Sequence, residues 1–245
     1  MKILPILQRQ FVDLLQLLYP PLCLGCQMII EEHGEIDTVC NNCLKNLSPI
    51  PDNYAREEVL SRLSPCFLDA LFTVFQFDDL VQKIIHEIKY RKAPKLAYQL
   101  ASQARSYLPT DVPWQKENPV LPIPLFPLRE KERGFNQSRA IAAGFFADSE
   151  NPIDDHILSR SRPTQTQTEL HREERLQNVY GAFTLKHPEQ VENKNIILVD
   201  DVVTTGATLN ECARILKAAG ASKVWGLTLA APLKPQRESV AHLNN

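Results

Sequence analysis

The segment NIILVDDVVTTGATLNECARILKAAGA, at positions 195–221, constrains the fold of this chain more than any other stretch. Residues 196–199 form a continuous run of isoleucine, leucine and valine, which is typical of a parallel strand buried on both faces of a sheet. Helical spacing of apolar residues resumes at Leu209 and ends at Gly220, a residue that favours helix termination. A buried strand that leads directly into a helix predicts an α/β domain with a parallel sheet.

Two acids and a group of small residues fill the junction between this strand and helix. Asp200 and Asp201 are expected at the carboxyl end of the strand, where open α/β sheets bind ligands. The first turn of a helix stabilises a phosphate by roughly 0.3 to 2 kcal/mol through its partial positive charge. The acids would repel that phosphate unless they hold hydroxyl groups or a hard cation. A sugar phosphate with a neighbouring diol meets both demands, and the alternative is a helix cap with solvated acids. The loop residues are Thr204, Thr205, Gly206, Ala207 and Thr208.

The rest of the chain alternates between apolar strands and amphipathic helices, as expected for a parallel sheet with helices on its faces. Further strands are predicted at 68–77, 120–124, 181–185 and 224–230. Further helices are predicted at 79–90, 95–108 and 135–147. The predicted organisation is an amphipathic helix at 1–21, a cysteine module at 22–47, a linker at 48–67, an α/β domain at 68–232 and a polar tail at 233–245.

A second positively charged junction between a strand and a helix lies in the middle of the chain. Arg129 and Arg133 come just before Gly134 and a predicted helix. Because arginine forks match phosphate oxygens geometrically, this turn is a candidate diphosphate site. The alternative is a basic turn that contacts only solvent.

A long polar segment at 160–179 carries more arginines, among them Arg162 and Arg172. It interrupts an otherwise compact pattern of strands and helices, and long loops of this kind are often functional. We interpret it as a mobile cover over the ligand site. The alternative is a surface loop that contacts nothing.

Four of the six cysteines form two CxxC pairs, Cys23 with Cys26 and Cys40 with Cys43, separated by 13 residues. This spacing is typical of a zinc ribbon with four thiolate ligands, in which the metal folds the module and performs no chemistry. Iron is the alternative metal. The other two, Cys66 and Cys212, are predicted to be packing residues.

Composition and charge exclude several classes of protein. The formal net charge of −2 over 245 residues gives no general attraction to nucleic acid, so any such binding requires a local patch. Residues 3–18 predict an amphipathic docking helix whose polar interruptions argue against a signal peptide. No run is long and apolar enough to span a bilayer. The expected location is cytoplasmic.

Four motifs occur in order along the chain and resemble those of one family. They are RGFNQS at 133–138, the R-x-R-x-T-x-x-Q pattern from Arg160 to Gln167, the R-x-x-N pattern at 175–178, and VDDVVTTGAT at 199–208, all preceded by the double CxxC module. Together they resemble the ComF family of competence-associated, phosphoribosyltransferase-like proteins, over about residues 22 to 231. The family's Lys-Tyr motif before a basic turn is also present, at Lys89 and Tyr90.

The resemblance implies a type I phosphoribosyltransferase-like parallel sheet with helices on both faces, preceded by a small four-cysteine zinc ribbon. It implies that Asp200 and Asp201 contact the ribose 2′- and 3′-hydroxyls of 5-phosphoribosyl 1-diphosphate (PRPP) or a related sugar phosphate. It also implies that residues 204–208 surround the 5′-phosphate, and that Mg²⁺ bridges the diphosphate through ligand oxygens and water.

The implied function is a role in DNA uptake or utilisation, with single-stranded DNA and competence or DNA-processing proteins as partners. The alternative is an active phosphoribosyltransferase of nucleotide metabolism that transfers phosphoribose to an unidentified acceptor. In that case Arg129, Arg133, Arg162 and Arg172 would stabilise the departing diphosphate. Glutamine-dependent amination is not expected, because the first cysteine belongs to the ribbon. Few aromatic residues accompany the arginines, and the candidates for base stacking are Phe135 and Tyr180.

Overall fold

The structure is a computed structural model that describes residues 20–30, 35–51, 54–163 and 178–233. Its centre is a sheet of four parallel strands, β1 (Ala70–Gln76), β2 (Val120–Pro122), β5 (Asn195–Val202) and β6 (Lys223–Ala231). They lie in the order β1, β6, β5, β2. Two short strands, β3 (Leu158–Arg160) and β4 (Phe183–Leu185), form a separate antiparallel pair. The predicted parallel sheet is therefore confirmed.

Six α-helices accompany the sheet in the described part of the chain. They are α1 (Asn41–Lys45), α2 (Asp79–Tyr90), α3 (Pro94–Ala104), α4 (Pro127–Arg133), α5 (Gln137–Phe145) and α6 (Ala207–Ala218). The helix predicted at 95–108 is shorter, because a 3-10 turn replaces its last residues at Arg105–Tyr107. The basic turn at 127–133 is itself a helix, which begins at a proline and ends at Gly134 with a left-handed φ of 84°.

Alternate side chains of the central strand build two cores, one on each face of the sheet. Ile197 and Val199 lie in the core that contains residues of α2, α3 and α5, whereas Ile196 and Leu198 lie in the core that contains residues of α6. All four are completely buried. The continuous apolar run in the sequence reflects this burial on both faces.

The cysteine module shares the first of these cores. Cys23, Ile36, Val39 and Leu47 are buried there together with the apolar face of α2. A methyl group added at Gly25 would lie 3.1 Å from Leu80 Cδ1, so the first CxxC turn contacts the first turn of α2. The module is therefore packed against the α/β domain.

The described residues between 48 and 67, the segment predicted as a linker, have contacts of their own. The backbone N–H of Ile50 donates to Val74 O at 2.8 Å, and Gln76 N–H donates to Ser48 O at 2.9 Å, so this segment pairs antiparallel with the edge of β1. Further on, Val59 and Leu63 pack beside Gly206. The domain boundaries themselves stay a prediction. Among the described residues, no helix combines the length and apolarity that crossing a membrane requires.

Candidate functional site

A cleft of about 730 Å³ lies at the carboxyl ends of β1, β2 and β5. In open α/β folds this end of the sheet is where ligands bind. The lining brings together three stretches of sequence that lie far apart in the chain, accompanied by Phe77, Arg160 and Pro163. The stretches are Lys89 and Tyr90 at the end of α2, residues 123–137 in part, and residues 200–209.

The loop between β5 and α6 lines one side of the cleft. Thr204 and Thr205 lie on it, Thr208 follows in the first turn of α6, and the backbone N–H of Ala207 donates to Thr205 Oγ1 at 3.4 Å. Gly206 has a φ of 76°, the left-handed region that glycine adopts at little cost. A methyl group at Gly206 would lie 2.9 Å from Val59 Cγ1 and 3.2 Å from Leu63 Cδ1. The loop therefore requires glycine both for its backbone conformation and for its contact with the segment before β1.

Asp200 is held by the start of α5. The Ser138 hydroxyl donates to Asp200 Oδ1 at 3.0 Å, and the backbone N–H of Asp201 donates to the same oxygen at 2.9 Å. Ser138 is fixed in turn because Asn136 caps the helix, accepting from Ser138 N–H at 2.9 Å and donating to Ile123 O at 3.1 Å. Burial, followed by the neighbouring charge of Asp201, raises the pKa of Asp200 to about 7. Two residues of the RGFNQS motif therefore hold Asp200, which belongs to the VDDVVTTGAT motif.

Asp201 is held by a different element, the end of α2. Lys89 Nζ lies 2.7 Å from Asp201 Oδ2, and the backbone N–H of Val202 donates to Asp201 Oδ1 at 2.7 Å. Burial acts to lower the pKa of Lys89, but the charges of Asp201 and Asp200 and the hydrogen bond to Asp201 outweigh it and raise that pKa. Lys89 is therefore an ammonium ion within the cleft.

The predicted arginines fall into three groups. Arg129 and Arg133 line the cleft together with the acids and the loop. Arg129 lies 3.9 Å from Glu132, and the Arg133 guanidinium donates to Gln137 Oε1 while burial lowers its pKa.

Arg162 is not among the residues that line the cleft, and its Nη2 donates instead to the carbonyls of Asn178 and Tyr180 at 3.0 and 2.9 Å. Arg172 lies outside the described residues, as do all of residues 164–177 of the cover predicted at 160–179.

Several residues of this cleft carry no signal in the sequence that reveals their role. Lys89, Ser138 and Arg160 belong to the family motifs, but the sequence does not show what each contacts. In the structure, Arg160 lines the cleft with its guanidinium 5.2 Å from the Phe183 ring centre. Of the aromatic residues that line the cleft, Tyr90 is the most exposed, at 64%. Of the residues predicted to stack on bases, Phe135 packs on the core and Tyr180 lies over Arg214 with 5.0 Å between the guanidinium and the ring centre.

The two CxxC pairs converge on one point, since all four sulfur atoms lie within 4.8 Å of one another. Cys26 Sγ and Cys40 Sγ are 3.8 Å apart, which matches the edge of about 3.8 Å expected for a tetrahedron with zinc–sulfur bonds of about 2.3 Å. A methyl group at Gly25 would lie 2.7 Å from Cys43 Sγ, so glycine permits this approach. The cluster fits a tetrahedral metal ion.

The protonation of these thiols also favours a cation. Burial raises the pKa of Cys23, but backbone N–H donors, led by that of Cys40, outweigh it and lower the pKa to about 6. Burial and the neighbouring thiols raise the pKa of Cys43 to about 12, because a further negative charge is unfavourable there. A divalent cation would allow all four to ionise together. Of the remaining cysteines, Cys212 is buried as predicted, whereas Cys66 is exposed, so the prediction that Cys66 is a packing residue was wrong.

Comparison with known proteins places these features in a family. Residues 96–243 match the family described as "Phosphoribosyl transferase domain". Competence protein F of Haemophilus influenzae is 35% identical over 114 residues, which cover 45% of this chain and half of that protein. The DNA utilization protein YhgH of Escherichia coli is 29% identical over 227 residues, covering 85% of this chain and 96% of that protein. Competence protein ComFC of Bacillus subtilis is 33% identical over 158 residues, covering 64% of this chain and 62% of that protein.

Proposed function

Since the chain belongs to the ComF family of proteins with a phosphoribosyltransferase domain, we propose that its cleft binds PRPP or a related sugar phosphate with Mg²⁺, in a role in DNA uptake or utilisation. One observation carries this proposal. The Thr204–Thr208 loop and the acidic pair line the same cleft as Arg129 and Arg133. That combination offers a phosphate cradle, acceptors for a diol and a basic site for a diphosphate on one ligand.

The roles of the residues follow from their chemistry. The loop and the N-terminus of α6 hold the 5′-phosphate, and the acidic pair holds the ribose hydroxyls. Arg129 and Arg133 hold the diphosphate, with Mg²⁺ bound mainly by ligand oxygens and water. The Cys23, Cys26, Cys40 and Cys43 cluster holds a structural Zn²⁺. Free thiols in this arrangement suit the reducing cytoplasm, where we place the protein.

The test of the sugar site compares two ligands on two proteins by calorimetry. At pH 8.5, above the pKa of Asp200, we expect the wild type to bind ribose 5-phosphate roughly ten- to hundredfold more tightly than 2-deoxyribose 5-phosphate, because the 2′-hydroxyl then donates to a charged acceptor. Asp200→Ala is expected to lose the same factor toward ribose 5-phosphate and to bind the two sugars equally. If the wild type does not distinguish these sugars, or binds neither, the sugar assignment is wrong.

Turnover distinguishes this role from the alternative, an active phosphoribosyltransferase. Release of pyrophosphate from PRPP with a panel of nucleobases and amines would establish the alternative. Binding of PRPP without release under the same conditions supports a binding protein.

A second candidate function, binding of single-stranded DNA, is favoured by the exposed Tyr90. Its ring lies 4.6 Å from that of His86, at the mouth of a cleft that also contains Arg129 and Arg133. Aromatic stacking beside cations is the usual means of holding single strands. Competence or DNA-processing proteins are the partners that such a role implies.

We expect Tyr90→Ala to weaken binding of a fluorescent single-stranded oligonucleotide by roughly five- to hundredfold, the contribution of one stacked base. Tyr98→Ala is the matched control, because Tyr98 is also exposed, at 41%, but does not line the cleft. Affinity should fall steeply with salt. Equal loss in both variants, or an affinity independent of salt, would argue against DNA at this cleft.

A further inference from the structure

The two acids of the cleft differ in what they contact. Asp200 is partly exposed and accepts from Ser138 and from a backbone N–H. Asp201 is only 5% exposed, and both of its oxygens are engaged within the protein, one by Val202 N–H and the other by Lys89. A carboxylate held in this way is better suited to fix its cation than to receive a ligand.

Lys89 is placed to act on whatever occupies the cleft. It belongs to the last turn of α2, which is anchored in the core by the completely buried Ile84 and Ile88. Its side chain keeps 27% of its surface exposed and lines the cleft. An ammonium group carries three N–H donors, so the ion pair with Asp201 leaves donors that a ligand in the cleft can use.

The charges around Lys89 determine how strongly it attracts an anionic ligand. Asp201 offsets the charge of Lys89, and Arg133 is the cation whose charge opposes it. A ligand that brings a diphosphate would add negative charge beside Lys89, Arg129 and Arg133, which line the same cleft. That environment reduces the need for a divalent ion to offset the ligand's charge.

We infer that Lys89, fixed by Asp201, contacts the phosphorylated ligand and supplies positive charge that Mg²⁺ would otherwise supply. Asp201 is then a positioning residue, which acts through Lys89. This inference rests on the proposed function, because it concerns how the same ligand is held. It departs from that function in two respects: Asp200 alone then holds the ribose hydroxyls, and PRPP is expected to bind substantially without a divalent cation.

The experiment titrates PRPP into each protein in EDTA and again in excess Mg²⁺. We expect the wild type to bind PRPP in EDTA within about tenfold of its affinity in Mg²⁺, because Lys89 already makes a charge-assisted contact with the ligand. Lys89→Met should lose roughly ten- to hundredfold in EDTA and recover part of it in Mg²⁺. Lys83→Met is the matched control, an exposed lysine on the same helix that does not line the cleft.

Two more variants separate charge from folding. Lys89→Arg keeps the charge and is expected to bind PRPP in EDTA within a few-fold of the wild type. Asp201→Asn should change the affinity for PRPP in the wild-type background but have little effect in Lys89→Met, because Asp201 acts on the ligand only through Lys89. A thermal melt of each variant checks that it is folded.

The outcomes are distinct. If wild-type protein fails to bind PRPP in either buffer, the proposed function fails and this inference with it. If the wild type binds only in Mg²⁺, or if Lys89→Met and Lys83→Met bind equally well in EDTA, the sugar site stands and Lys89 is not its cation. If Lys89→Arg loses as much affinity as Lys89→Met, positive charge at this position is not what the ligand requires.

Discussion

Replacing Cys40 and Cys43 together with serine is expected to abolish zinc retention and to unfold residues 22–47. A structural zinc site of this kind contributes about 10 to 16 kcal/mol of apparent binding energy, and a module of this size cannot fold on its own core. We expect wild-type protein purified without added metal to contain one zinc ion per chain by elemental analysis. The variant should contain none.

The effect should extend beyond the ribbon. Ile36, Val39 and Leu47 share their core with α2, and Gly25 lies against Leu80 in the first turn of that helix. Loss of the ribbon therefore exposes apolar surface on α2, the helix that carries Lys89 at its other end. We expect the melting temperature of the whole protein to fall and its affinity for PRPP to fall with it.

Cys66→Ser is the matched control for this experiment. Cys66 is exposed and lies outside the cluster, so the same substitution there should leave zinc content and melting temperature unchanged. Zinc retained at one ion per chain by the double serine variant would contradict the assignment. The assignment would also be contradicted if residues 22–47 resisted proteolysis equally well with and without a strong chelator.

The sequence alone predicts the elements whose evidence is local. The β5 strand, the loop after it and α6 can be read from a single stretch, because burial on both faces, a glycine-containing turn and helical spacing each leave a pattern in consecutive residues. The cysteine cluster is predictable for the same reason, since each pair of ligands is set by one CxxC turn.

Contacts between distant segments are not predictable in this way. Lys89 is one polar residue on an amphipathic helix, and nothing in its own neighbourhood indicates that it meets Asp201. Ser138 cannot be distinguished from any serine at the start of a helix until α5 is placed beside β5. Arg162 shows the converse case, because its motif suggests a ligand contact and the folded chain gives it two backbone carbonyls.

The contact of Val59 and Leu63 with Gly206 is also beyond the sequence. The segment before β1 carries Pro and polar residues and is therefore predicted to be a linker, yet part of it packs behind the loop after β5. Asn210 of α6 reinforces this contact, since its side chain accepts from Phe67 N–H at 2.7 Å and donates to Pro65 O at 2.9 Å. The shape of the loop thus depends on residues that precede the sheet.

Because the loop after β5 depends on Val59 and Leu63 for its shape, we expect a large effect of Gly206→Ala. The substitution places a side chain in the left-handed region, at about 1 kcal/mol, and forces Val59 away from a 2.9 Å contact. Because the backbone N–H groups of the loop must converge on a phosphate, a displacement of even part of an ångström is costly. We expect the affinity for ribose 5-phosphate and PRPP to fall by about a hundredfold or more, with a smaller loss of thermal stability.

Gly181→Ala separates the cost of a left-handed backbone from the cost of the contact with Val59. Gly181 also has a left-handed φ, of 67°, but a methyl group there would meet nothing within 4 Å. It should therefore show the backbone cost alone, as a small drop in melting temperature with ligand affinity intact. Adding Val59→Ala to Gly206→Ala should restore part of the lost affinity, because it removes the opposing methyl group while leaving φ unchanged. If Gly206→Ala binds these ligands as the wild type does, the loop after β5 is not the phosphate cradle, and the cleft must hold its ligand through other residues.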